Sequence, residues 1–144
     1  MVKNSHLGWY NHKNLEDGKM AGKISRVGDI KTKKFEAIKD AEVHIGVAEK
    51  PEDSEIGMTI GIYKQLGGPV DVVYGWDEIT IVTDGPVEAT INGKTTVCNA
   101  GDIIITPKGT AVTLNAPVST AGIVITLPHL AEALKESPLE GAID

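Results

Sequence analysis

The side chains of this chain best equipped for chemistry gather in Tyr74-Gly75-Trp76-Asp77-Glu78, where a glutamate follows two aromatic residues that carry hydrogen-bond donors. A carboxyl group held among apolar neighbours loses hydration in its charged form, so its pKa climbs toward neutrality and it can both take and give a proton. Glu78 therefore reads as a general acid or base, or else as a buried glutamate satisfied by tyrosine or backbone donors. Tyr74 either donates a hydrogen bond to a ligand oxygen or fills space with its hydroxyl turned toward Glu78. Trp76 is expected at the mouth of a pocket, stacked on a ligand or a subunit or simply packed. Asp77 is expected to face outward.

Other reactive types are dispersed. His6, His12, His44 and His129 show no metal-ligand spacing, and of these His44 alone falls on an expected strand. An unorthodox site joining His44 to Glu78 would require the right strand parity. Cys98 is the sole cysteine, so no intramolecular disulfide forms and a reducing cytosol is the natural setting. With no histidine close in sequence to activate it, Cys98 reads as a buried, inert thiol. No phosphate-cradling glycine loop and no internal repeat is present.

From Ala41 onward, short β-branched runs alternate with Gly, Pro, Asn and Asp, which predicts an all-β domain. The expected strands are Ala41 to Val47, Met58 to Leu66, Glu78 to Thr83, Val87 to Ile91, Lys94 to Cys98, Asp102 to Thr106, Ala111 to Leu114 and Gly122 to Leu127. Asn92-Gly93 accepts positive φ at both positions and predicts a tight hairpin. Thr83-Asp84-Gly85-Pro86 turns the chain just before. This order of elements is that of a small jelly roll. Leu130 to Lys135, bounded by Pro128 and Pro138, is a short helix candidate expected to cover one end or edge of the barrel. The early residues Leu7, Trp9 and Tyr10 belong either to an ordered arm or to a frayed tail.

Two segments carry a family resemblance. Glu78 and Gly85 stand where the first cupin motif has its glutamate and closing glycine, and Gly101-Asp102-Ile103-Ile104-Ile105-Thr106-Pro107-Lys108-Gly109 reproduces the frame of the second. The positions that hold metal-binding histidines in such motifs are occupied by Val72, Tyr74 and Val112. Only Glu78 remains of the usual ligands, and one carboxylate lacks the imidazole nitrogens that supply most of the affinity for a transition metal. The chain resembles the cupin superfamily over about residues 40–128. Through Ser54-Glu55-Ile56-Gly57-Met58, Tyr74 to Ile79 and Ala100 to Gly109 it is similar to the ethanolamine-utilisation protein Q family.

The resemblance implies a single-domain cupin barrel, placed over residues 36–128, and the sequence outside it reads as an N-terminal arm over residues 1–35 and a C-terminal helix and tail over residues 129–144. It implies a homodimer in which Ile24 to Ile30 dock on the neighbouring subunit, and a setting among bacterial microcompartment components. Acetate kinase activity, linked to that family, is not carried over, since the chain has no recognisable nucleotide loop. Any such activity would need a phosphate site built from Lys64, Lys94 or Lys108, which read more simply as solvated lysines.

With the motif positions taken as inward, strand alternation turns Val72, Tyr74, Glu78, Thr80 and Val82 into the barrel from one sheet and Val112 and Leu114 from the other. Tyr63 and Gln65, or on the opposite parity Lys64, come from the preceding strand. The cavity so built is largely apolar with a few orienting polar groups, as small-molecule sites are. Glu78 and Tyr74 are the catalytic candidates; Tyr63, Gln65, Val72, Trp76, Thr80 and Val112 are the ligand-binding candidates; no metal and no cofactor is expected.

The whole-chain properties narrow the partners. At 144 residues the sequence is one domain with one core. A net charge of -6 argues against affinity for nucleic acid, and Lys31, Lys33 and Lys34 are too few to reverse it. No apolar run is long enough to span a bilayer, and Met1 to His6 lacks a signal-peptide core. Two classes of function follow: a metal-independent isomerase, dehydratase or lyase acting through Glu78 on a small organic metabolite, or a non-catalytic protein of the cytoplasm or microcompartment that binds a metabolite or docks on an assembly.

Overall fold

The computed structural model describes residues 23–49 and 58–127. Within them the alternating runs form eight strands: β1 (Lys33–Lys34), β2 (Ala41–Glu49), β3 (Thr59–Val73), β4 (Asp77–Asp84), β5 (Val87–Ile91), β6 (Lys94–Cys98), β7 (Ile103–Thr106) and β8 (Ala111–Leu127). Val27–Asp29 add one 3-10 turn. Every pairing is antiparallel, along the path β1-β2-β3-β8-β4-β7, with β5 joining β8 to β6.

Two long strands turn this path into a jelly roll. Residues 59–65 of β3 pair with residues 120–126 of β8, while residues 70–73 pair with residues 111–114. Residues 59–65 and 120–126 belong with β2, β4 and β7, and residues 70–73 and 111–114 with β5 and β6. At the crossing, Gly68 has φ 142°, and a Cβ there would lie 2.9 Å from both the Asn115 side-chain oxygen and the Leu114 carbonyl, so no other residue fits. The Gln65 amide secures the bend by donating to the carbonyls of Gly67 (2.8 Å) and Leu114 (3.1 Å). The sequence pattern ends β3 at Leu66 and divides β8 between Leu114 and Gly122. In the structure both run through, because residues 117–119 have no partner on β3, so Pro117 forfeits no ladder bond there.

The β5–β6 hairpin turns at Asn92 and Gly93, both at positive φ (52° and 75°), as their sequence predicts. β1 falls inside the segment read as an N-terminal arm, and Phe35 beside it is buried with Val43 and Val70. A larger cluster joins Tyr74, Trp76, Val82, Val87, Ala89, Cys98, Val112 and Leu114 between the sheets. The expected helix at Leu130 to Lys135 lies outside the described residues.

The outward face of the larger sheet is also apolar. Cross-strand register aligns Ile62, Ile123, Ile81 and Ile103 in one row, and Ile60, Ile125, Ile79 and Ile105 in the next. Ile30 and Thr32 lie over Gly46 at the β2 side of this face, where Ile62 is 3% exposed. At the β7 side Ile103 and Ile105 are 60% and 66% exposed.

Candidate functional site

Alternation along β4 sends Glu78, Thr80 and Val82 inward and leaves Asp77 outside. The backbone around them is firmly held. Asp77 accepts from the Lys108 amide at 2.8 Å, the Tyr74 amide donates to Thr110, the Gly109 amide donates to Tyr74, and the Thr106 hydroxyl donates to the Glu78 carbonyl. The frame Pro107-Lys108-Gly109 that carries the family resemblance thus works here as a clamp on the start of β4.

Between the sheets lies a cavity of about 30 Å³. Tyr63, Tyr74, Glu78, Thr80 and Thr120 supply its polar wall, and Val82, Val87, Ile104, Leu114 and Ala121 its apolar wall, with Gly122 between them. Such a volume holds about two waters, so the ligand that fits has about two to four non-hydrogen atoms.

The Glu78 carboxylate is gripped by its own neighbours. The Trp76 indole donates to Oε2 at 2.8 Å, the Thr80 hydroxyl to Oε1 at 3.1 Å, and the Tyr74 phenol adds a third hydrogen bond. A carboxylate has about four accepting positions, so one remains for a ligand. Burial pushes the pKa of Glu78 above the usual carboxylate value, and the three donors, which favour the charged form, offset part of that rise. Burial, then the charge of Glu78, pushes both phenols upward, so Tyr63 and Tyr74 are neutral donors at physiological pH. Tyr74 is committed to Glu78. The Tyr63 hydroxyl is buried and meets no hydrogen-bond partner among the described residues.

Several expectations are revised by this geometry. Trp76 does not sit at the mouth: it is 5% exposed, packed edge-on against Tyr74 with centroids 5.8 Å apart, and turned to Glu78. Gln65 is buried away from the cavity wall, because its amide serves the bend of β3 and β8. Val72 and Val112 pack into the core without lining the cavity. Lys64 is exposed, so β3 presents the parity of Tyr63 inward. Thr120, Val87 and Ile104 line the wall without having been singled out in the sequence. Thr120 shares the even-numbered parity of Leu114 and Gly122, a signal hidden by reading β8 as two strands. Its hydroxyl is held by the Asp84 carbonyl at 2.6 Å.

The donor set does not fit the metal that typical cupins hold. Val72 and Val112 have no ligand atom, and no group of three His, Cys, Asp or Glu residues converges among the described residues. His44 pairs across the sheet with Lys64, on the parity opposite to Tyr63, and bonds Glu42 at 2.8 Å on the outer surface. That orientation rules out a shared site of His44 with Glu78. His6, His12 and His129 lie outside the described residues. Cys98 is buried, and burial followed by the charge of Asp102 pushes its thiol pKa up, away from the thiolate a nucleophile requires.

The family model for ethanolamine utilisation protein EutQ matches residues 3–131. The chain belongs to the EutQ family. Among solved structures, ethanolamine utilization protein Q of Salmonella typhimurium LT2 is 21% identical with a TM-score of 0.69, the match covering 78% of this chain and 89% of that one. The EutQ protein of Clostridium difficile is 22% identical with a TM-score of 0.58, covering 67% and 80% respectively. An RmlC-like cupin of Shewanella frigidimarina NCIMB 400 is 12% identical with a TM-score of 0.58, covering 78% and 96%. At these identities the structural likeness establishes the cupin fold. A comparison with curated proteins found no match. Among the described residues of this EutQ-family cupin, no helix is long and apolar enough to cross a membrane.

Proposed function

We propose that the protein binds a small oxygenated metabolite in the barrel, without a metal or cofactor, and that Glu78 moves a proton on it. The observation that carries this reading is the pairing, in one small cavity, of a buried carboxylate with one accepting position open and the partnerless phenol of Tyr63. A compound with a carbonyl oxygen and an adjacent C–H meets both needs. Its oxygen accepts from Tyr63 while Glu78 takes the proton from the α-carbon. The C–H electron pair becomes the C=C bond of the enol, and the carbonyl π pair moves onto the oxygen that Tyr63 stabilises. Where the α-carbon carries a hydroxyl group the intermediate is an enediol, and return of the proton to the former carbonyl carbon, with the α-hydroxyl giving its proton to the former carbonyl oxygen and becoming the new carbonyl, completes an isomerisation. Tyr74, Trp76 and Thr80 orient the carboxylate and set its proton affinity. In this reading the protein works in the cytoplasm as a homodimer, free or attached to a microcompartment.

The test is proton NMR in D₂O with acetone and glycolaldehyde as probes. The wild type should catalyse loss of the α-proton signal, Glu78→Gln should abolish exchange while leaving ligand-observed binding intact, and Tyr63→Phe should slow it. Binding without exchange would instead support a second reading, a metabolite-binding or microcompartment assembly protein. That reading draws on the three donors already engaging Glu78, a degree of satisfaction that suits a fixed structural carboxylate. No binding of either probe, nor of acids and alcohols of the same size, would remove the cavity from consideration.

A further inference from the structure

We infer that the chamber around Glu78 selects uncharged carbonyl compounds and excludes carboxylates and phosphates of the same size, with the charge of Glu78 as the filter. This rests on the ligand-binding role proposed for the cavity and adds what that role leaves open, the charge of the ligand.

The wall carries charge of one sign. Glu78, Tyr63 and Tyr74 are the ionisable groups among the residues that line the chamber, and no lysine, arginine or histidine stands with them. Every lysine and arginine among the described residues is exposed, and Lys64, next to Tyr63 in sequence, is on the outer parity of β3. Burial first, and then the charge of Glu78, hold the Tyr63 phenol in its neutral form. The negative field of the carboxylate thus reaches the hydroxyl at which a ligand oxygen would bind. A second negative charge placed there would face Glu78 at close range, with little solvent between them and no cation to offset the repulsion, and two like charges so held do not both stay ionised.

The supply of hydrogen-bond donors points the same way. Tyr74, Trp76 and Thr80 are engaged by Glu78, and the Thr120 hydroxyl donates to the Asp84 carbonyl. The wall is built from strands, whose amides lie along the sheet and serve its ladders instead of pointing into the barrel. Among the described residues the Tyr63 hydroxyl is therefore the one free donor of the wall. A carbonyl oxygen is satisfied by one donor. A carboxylate has about four accepting positions and a phosphate more, so either would be buried with most of them unmet.

Acetamide and acetate separate charge from size, since they have the same shape and the same number of non-hydrogen atoms. Neither gives up its methyl proton readily, so binding is read apart from proton transfer. Both are titrated into the isotope-labelled full-length protein at pH 8 and low ionic strength, followed by ligand-observed saturation transfer and by the indole N–H resonance of Trp76, which bonds Glu78. Acetamide should bind at least about twentyfold more tightly than acetate. Glu78→Gln, which removes the charge and keeps the shape, should bring that ratio below about threefold. Equal affinities in the wild type, or a preference that Glu78→Gln leaves intact, would overturn the proposal; the wild-type comparison needs no variant and decides even where Glu78→Gln does not fold. Binding of neither compound would overturn both the filter and the ligand-binding role beneath it. A preference for acetamide without exchange of the acetone protons would uphold the filter and remove only proton transfer by Glu78.

Discussion

Replacing Trp76 by Phe should destabilise the protein by an amount that depends on pH, because the indole N–H holds one oxygen of a buried carboxylate. The 2.8 Å bond to Glu78 Oε2 is charge-assisted when Glu78 is ionised, and such bonds contribute about 1.5–3 kcal/mol, against about 0.5–1.5 kcal/mol for a neutral pair. The smaller ring also leaves a packing defect of about 1–2 kcal/mol beside Tyr74, which is the same at every pH. At pH 8, with the carboxylate charged, the total loss should be about 3–4 kcal/mol. At pH 4, below the raised pKa of Glu78, it should shrink by about 1–2 kcal/mol as the bond becomes one between neutral groups. The assay is urea unfolding of wild type, Trp76→Phe, Glu78→Gln and the double variant at both pH values. The Gln amide oxygen still accepts from the indole, and the Thr80 hydroxyl can rotate to accept from its NH₂, so the double-mutant cycle isolates the charge-dependent part, about 1 kcal/mol or more at pH 8. Equal losses at the two pH values, together with no coupling in the cycle, would refute the reasoning.

Glu78→Gln also has a signature of its own. Because the folded pKa of Glu78 is raised, its favourable contribution is fully present below the ordinary value of 4.5 and is lost as pH rises through the raised value. The stability of the Gln variant relative to wild type should therefore grow from pH 4 toward pH 8 and then level off; a difference that shrinks over that range would mean that the donors outweigh burial. Gly46→Ala should cost about 1–3 kcal/mol, since the new Cβ would stand 2.7 Å from the Lys31 carbonyl and 2.9 Å from Ile30 Cγ2, and thermal unfolding at unchanged fold would measure it. Cys98 should resist a thiol reagent in the native protein and react fully in denaturant; rapid stoichiometric labelling of the native state would contradict its placement.

Much of the barrel was legible because its signals are local. β-branched runs marked the strands, Asn92-Gly93 marked its hairpin, and simple alternation turned Glu78 and Thr80 toward the cavity. What escaped depends on pairing between distant residues. Gly67-Gly68-Pro69 and Asn115-Ala116-Pro117 look like breaks in isolation, and only their apposition shows a shared bend that two continuous strands can absorb. Trp76 could not be assigned to the interior from its loop position, since the acceptor that draws it in stands on a strand that has yet to be placed. The isoleucine rows were equally hidden. Each of Ile60, Ile79, Ile105 and Ile125 is an ordinary strand residue until four registers align them.

The crossing of β3 and β8 also limits how the interior can respond to what it holds. Because each strand is a continuous backbone in both sheets, the sheets cannot slide or part like two plates without tearing ladders on both sides of the bend. Room for a larger guest must come from side chains turning within the wall, at Val87, Ile104 and Leu114, while the backbone stays fixed. Selectivity in this barrel is accordingly adjustable one residue at a time. Trimming Ile104 to Val or Val87 to Ala enlarges the chamber by one or two methyl-sized increments, without moving the carboxylate it encloses.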